Sequence, residues 1–127
     1  MIEPDFLLLE DVEMFHTLSV QRFGGTEGLR DRGAFESAVE QPKQTYYYGR
    51  GDLYEIAAAY AFHIAQAQAF LDGNKRTAVA AALSFLELND APCHVDNLTL
   101  YNAIMAVAER RCDKVQLAAQ LRGGPKM

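Results

Sequence analysis

The sequence predicts an all-α fold of about six helices, with at most a minor β element, and three observations lead there. Apolar residues recur at helical spacing in successive segments. Caps and breakers fall between those segments: Gly24-Gly25, Asp31, Pro42, Asp90-Ala91-Pro92, Asp96, Asp113 and Gly123-Gly124. Half of the residues are hydrophobic and many of these are alanine, which suits close helix packing.

Phe6-Leu7-Leu8-Leu9 is too short for periodicity to separate a strand from a helix start. From Glu10 to Phe23, the residues Val12, Phe15, Leu18, Val20 and Phe23 form a helical stripe that Gly24-Gly25 stops. Asp31 is the expected N-cap of a short helix carrying Phe35, Ala38 and Val39, which Pro42 should end. Residues 42–52 read as a loop or small hairpin, because Tyr46-Tyr47-Tyr48 has strand propensity and Gly49-Arg50-Gly51-Asp52 has turn chemistry. A long helix is expected from about Leu53 to Phe70, on Ile56, Ala59, Tyr60, His63, Ile64 and Ala67. After a break at Leu71-Asp72-Gly73, an alanine-rich helix from Asn74 to Leu88 is apolar enough to be central. Asp96 and Asp113 should cap the last two helices, the final one stopping at Gly123-Gly124.

A chain of 127 residues is expected to form a single domain, residues 1–127, with a core that needs no staples. The net charge of −5 argues against a nucleic-acid-binding module, which needs a Lys/Arg-rich face. Cys93 and Cys112 lie far apart and outside any metal-ligand spacing, so reduced, partly buried thiols are expected. The opening Met1-Ile2-Glu3-Pro4-Asp5 lacks the regions of a signal peptide, and no apolar run is long enough for a bilayer. A cytoplasmic protein without membrane contact is the expectation.

The most informative segment is Ala67-Gln68-Ala69-Phe70-Leu71-Asp72-Gly73-Asn74-Lys75-Arg76-Thr77. A helix restarting directly after Asp72-Gly73 presents free backbone N–H groups and the positive end of its dipole, which together favour an anion. Lys75 and Arg76 in the first turn oppose that dipole, a local conflict that a bound phosphate would resolve. Gly73 permits close approach, and Asp72 beside phosphates is a candidate Mg²⁺ ligand. Read in isolation, the same residues describe equally well a plain turn with an Asp cap and two solvated cations.

The segment resembles the signature of the Fic/Doc family, HxFx(D/E)(G/A)Nxx, whose Doc branch reads HxFxD(G/A)NKR. Phe70, Asp72, Gly73, Asn74, Lys75 and Arg76 match. The upstream block Gly24-Gly25, Gly28-Leu29-Arg30-Asp31-Arg32-Gly33 and Phe35-Glu36-Ser37-Ala38 is similar to that of death-on-curing proteins. Residues Thr77-Ala78 through Phe85-Leu86-Glu87-Leu88-Asn89 are similar to the family's following helix, so the resemblance covers most of residues 5–90. It implies the Fic/Doc (Fido) helical fold with a possible short β-flap, and a motif loop that cradles ATP phosphates. Fic proteins transfer AMP to a target hydroxyl, while the Doc branch is associated with phosphoryl transfer to a protein of the translation machinery. Lys75, and Val79 where the Fic motif GNGRxxR has its last arginine, place this chain with Doc. By position, Asp72 would hold Mg²⁺, Asn74 and the Gly73–Lys75 backbone would hold phosphate oxygens, Lys75 and Arg76 would neutralise charge, and Phe70 would anchor the loop.

Gln68 stands where the family carries its catalytic histidine. Glutamine orients groups by hydrogen bonding but accepts no proton near neutral pH, so its presence should cut turnover while leaving nucleotide binding. A natural subfamily that binds without much chemistry, one with altered chemistry, and an inactivated variant all fit. His63 lies about 140° around the helix from Gln68 and reads as a core or subsurface residue, while nothing in the sequence brings His16 or His94 to this place. Tyr46-Tyr47-Tyr48 lies where the family has a flap that pairs with a target by strand addition, and reads equally as aromatic packing. The stretch Glu109-Arg110-Arg111 with Lys114 reads as a solvated helix junction. No (S/T)xxxE(G/N) inhibitory helix occurs, so the resemblance implies inhibition by a separate antitoxin protein.

Overall fold

A computed structural model describes residues 3–123. Met1 and Ile2 of the opening segment, and Gly124 of the expected stop, lie outside the described residues. The described residues form six helices: α1 (Leu9–Phe23), α2 (Arg32–Tyr47), α3 (Leu53–Ala67), α4 (Asn74–Leu88), α5 (Asn97–Ala108) and α6 (Lys114–Arg122). No strand forms among them; one isolated antiparallel bridge joins Leu29 and Phe70. No helix is long and apolar enough to cross a membrane.

The centre is α3, which packs against α2, α4, α5 and α6. Its run Ile56-Ala57-Ala58-Ala59-Tyr60-Ala61 is buried all round, and small side chains let four neighbours approach closely. The alanine-rich α4 is the second layer, burying Ala78, Ala81, Ala82, Phe85 and Leu86. Tyr60 is wholly enclosed, and its hydroxyl accepts the Leu7 N–H at 2.9 Å. Burial pushes that phenol up to about 12. Residues 3–8 lie outside any helix or strand, so Phe6-Leu7-Leu8 precedes the helix rather than starting it. Asn89 fixes this strap by exchanging two hydrogen bonds with the Asp5 backbone, at 2.8 and 3.0 Å.

Two expectations fail at helix ends. The loop or hairpin expected at 42–52 is helical through Tyr47, with Pro42 inside α2. Pro42 forfeits the hydrogen bond to the Ala38 carbonyl, normally a cost of about 3 kcal/mol. Here its ring extends the buried stripe Phe35, Ala38, Val39, and Tyr46 packs edge-on against Phe6 at 6.0 Å. Tyr46 and Tyr47 therefore end a helix, Tyr48 caps it, and the three offer no extended edge for strand addition. At the other end, α3 stops at Ala67 instead of running to Phe70, because Gln68 is left-handed at φ 47°, ψ 46°. The α1 stripe also shifts: Val12, His16 and Val20 are buried, whereas Leu18 and Phe23 are exposed.

Candidate functional site

The break between α3 and α4 is shaped by partners distant in sequence. Residues 28–31 run antiparallel to 69–71: the Arg30 and Asp31 N–H groups donate to the Ala69 carbonyl at 2.7 and 3.1 Å, and Leu71 N–H donates to the Gly28 carbonyl at 3.0 Å. Phe70 is buried, stacked on His16 at 3.9 Å and edge-on to Phe35 at 5.2 Å, so it anchors the loop as expected. Below the turn, His16 is 3% exposed and its Nε2 donates to the Asp72 carbonyl at 2.8 Å. The sequence held one signal for this: His16 is the polar residue on the stripe Val12–His16–Val20.

Asn74 closes the break from the other side. Its Oδ1 accepts the Phe70 N–H and its Nδ2 donates to the Phe70 carbonyl, both at 3.0 Å. The Asn74 side chain is therefore committed to holding the loop, leaving its backbone N–H for a ligand. Gly73 takes φ 75°, a conformation that side chains disfavour, and Thr77 Oγ1 donates to its carbonyl at 2.9 Å.

The N-terminus of α4 is then left open. Asp31, Asp52, Asp96 and Asp113 cap α2, α3, α5 and α6 by accepting N–H bonds of 3.0, 2.9, 2.7 and 2.8 Å. No side chain caps α4, and its first turn holds no acid. The N–H groups of Asn74, Lys75 and Arg76 have no intrahelical acceptor. Lys75 is half-buried and forms no ion pair among the described residues. This is an electropositive backbone cradle of the kind that receives an anion.

Arg76 is turned elsewhere. Its guanidinium lies over the Phe23 ring at 4.5 Å and near Tyr101 at 5.7 Å. It borders an open apolar cleft of about 420 Å³ between α1, α4 and α5, whose walls include Phe15, Leu18, Val79 and Leu83. The exposed Leu18 and Phe23 belong to this cleft.

Asp72 is exposed, with Oδ1 accepting the Gly73 N–H at 3.0 Å and Oδ2 the Thr26 N–H at 3.4 Å. Gly25 stands so close that a Cβ there would lie 2.9 Å from Asp72 Oδ2. No group of three or more metal-ligating side chains occurs among the described residues. A single carboxylate with lone pairs to spare fits Mg²⁺ only when phosphate oxygens and water complete the shell.

Gln68 is exposed at the rim of the same break, and its carbonyl accepts from Arg30 Nη2 at 2.6 Å. His63 faces α6, where the Lys114 ammonium donates to its Nε2 at 3.3 Å. Burial, and then the Lys114 charge, hold its imidazole down to about 4, in keeping with a subsurface residue. Cys93 and Cys112 are free and partly buried. The structure thus gathers Gln68, Asp72, Gly73, Asn74 and Lys75 at one break, adds His16 and Arg30, and separates Tyr46–Tyr48 and His63 from it.

Comparison with known proteins bears on this geometry. The sequence model of the Fic/DOC family matches residues 6–86, from within the amino-terminal strap to the last turn of α4. A protein named Toxin Doc from Mycolicibacterium smegmatis is 40% identical over 107 residues, covering 80% of this chain and 81% of that protein. The Protein kinase doc of Escherichia phage P1 is 35% identical over 81 residues, covering 63% of this chain and 64% of the phage protein. With the matched span covering the break, all of α3 and most of α4, the chain belongs to the Fic/Doc family.

Proposed function

We propose that this chain is a Doc-like member of a toxin–antitoxin pair, which binds ATP phosphates with Mg²⁺ at the α4 N-terminus. From there it would pass a phosphoryl (or adenylyl) group to a protein hydroxyl, with turnover depressed by Gln68. The observation that carries the reading is the open start of α4: three undonated N–H groups, a Lys75 without an ion pair among the described residues, and no acid in the first turn, behind a loop clamped by Asn74. Asp72 would hold Mg²⁺ through one carboxylate oxygen. The metal's chemistry there is to neutralise charge on the phosphate oxygens. Lys75 would supply a further positive charge. The names of the two relatives, a toxin and a protein kinase, support the toxin and phosphoryl-transfer parts.

Gln68 supports a second reading, a pseudoenzyme that uses the same cradle for binding or regulation. At the rim it can orient a hydroxyl but cannot take its proton, and general-base assistance is commonly worth about 10²–10⁴-fold. An antitoxin partner would find an apolar seat in the open cleft beside Arg76. The β-type pairing among the described residues is the Leu29–Phe70 bridge at the break, so a target segment adding as a strand would do so beside it rather than at Tyr46–Tyr48.

The test is growth arrest, together with ATP-dependent labelling of a lysate, by wild type and by Gln68→His. The transferase reading expects labelling that rises at least about 100-fold on Gln68→His. Equal labelling by both proteins would sink the impaired-enzyme reading, and no labelling by either would leave the pseudoenzyme. Calorimetry with ATP and Mg²⁺ decides the cradle separately: a folded protein that binds neither has no phosphate site.

A further inference from the structure

We propose that Arg30 is a positioning residue for the side chain at position 68. This rests on the reading that position 68 faces the reacting groups. Gln68 is a non-glycine residue in the left-handed region, a conformation that persists only where its surroundings hold it. Arg30 holds it from two directions. Its backbone N–H donates to the Ala69 carbonyl at 2.7 Å, and its Nη2 donates to the Gln68 carbonyl at 2.6 Å. One residue therefore grips the carbonyls of two successive peptide groups, 68–69 and 69–70, and by fixing the backbone directly after Gln68 sets the direction in which the 68 side chain leaves it.

No other described residue claims the guanidinium. Among the described residues Arg30 makes no ion pair, and its neighbour Asp31 is spent on capping α2. Arg32, by contrast, is tied to Glu13 and Glu36 at 3.6 and 3.2 Å. A fixed cation beside position 68 also has an electrical consequence: it disfavours protonation of any imidazole placed there. Arg30 thus orients the 68 side chain and, where that side chain is a base, keeps it neutral.

The test uses the full chain carrying Gln68→His, alone and combined with Arg30→Ala, Arg30→Lys or Arg32→Ala as control. Proton NMR of the introduced imidazole is the primary readout, since it needs no activity. Arg30→Ala is expected to broaden that resonance and raise its titration midpoint, Arg30→Lys to restore the midpoint, and Arg32→Ala to change neither. The Asp31 and Leu71 amides should stay protected from exchange throughout, because backbone groups make those bonds. Where labelling is measurable, Arg30→Ala should lower kcat about tenfold and leave KM for ATP within about twofold. An unchanged imidazole resonance and midpoint would overturn the proposal, as would loss of amide protection at Asp31 and Leu71, which would mark Arg30 as a mere loop fastener. If Gln68→His labels nothing, the transferase reading fails while the NMR result still decides the role of Arg30.

Discussion

Replacing Asn74 by alanine removes both hydrogen bonds that close the break, at the Phe70 N–H and the Phe70 carbonyl, each 3.0 Å long and partly buried. Each Phe70 group then loses a partner in a place that water reaches poorly, at a cost of about 1 kcal/mol or somewhat more. Together the loss is about 2–3 kcal/mol. A chain of 127 residues has an unfolding entropy of about 0.27 kcal/mol/K near its midpoint, so Tm should fall by about 9 °C. Asn74→Asp keeps the acceptor for the Phe70 N–H but sets an oxygen against the Phe70 carbonyl. Its negative charge at the α4 N-terminus returns part of the loss, so it should fall between alanine and wild type. Thermal unfolding followed by circular dichroism measures both variants, and hydrogen exchange at the Phe70 amide reports the clamp directly. A Tm for Asn74→Ala within about 2 °C of wild type, with Phe70 still protected, would show that the side chain does not hold the loop.

Three other outcomes follow from the same geometry. Lys75→Met should leave Tm nearly unchanged yet weaken binding of ATP about tenfold at low salt, with the difference shrinking as salt rises, as calorimetry at two ionic strengths would show. Gly25→Ala places a Cβ 2.9 Å from Asp72 Oδ2 at a φ of 116°, so Asp72 must move; Mg²⁺-dependent ATP binding should suffer more than binding without metal. His63, held at about 4 against an ordinary 6.5, gives stability that is present above pH 6.5 and lost as pH falls toward 4. By pH 5 the full linkage would be about 2 kcal/mol, and solvent screening of the partly exposed ring leaves about 1 kcal/mol. Denaturant titrations of wild type and His63→Gln at pH 7.5 and pH 5 should therefore diverge by about that amount, with the variant less acid-sensitive.

Local chemistry alone determined much of this protein. Asp31, Asp96 and Asp113 each cap the helix the sequence assigned them, because an Asx cap needs only the next turn of its own chain. The break at Asp72-Gly73 and the start of α4 at Asn74 were legible for similar reasons, and the motif carried the family and, with it, the anchoring of Phe70. Tertiary structure decided the rest. Pro42 reads as a stop until the stripe Phe35, Ala38, Val39 and Pro42 is buried as one surface. Helical spacing runs on to Phe70, but the backbone of residues 69–71 is taken by residues 28–31, a pairing about forty residues away in sequence that no local window contains. The same distance separates Gln68 from Arg30, and a greater one separates Asp72 from His16. Asn74 and Arg76 have the most partners that sequence did not announce: the family resemblance implied phosphate contacts for Asn74, and charge suggested them for Arg76, while the fold engages the Asn74 amide with Phe70 and the Arg76 guanidinium with Phe23 and Tyr101. Residue type states what a side chain can bond; only the packed chain decides which partner stands within 3 Å of it.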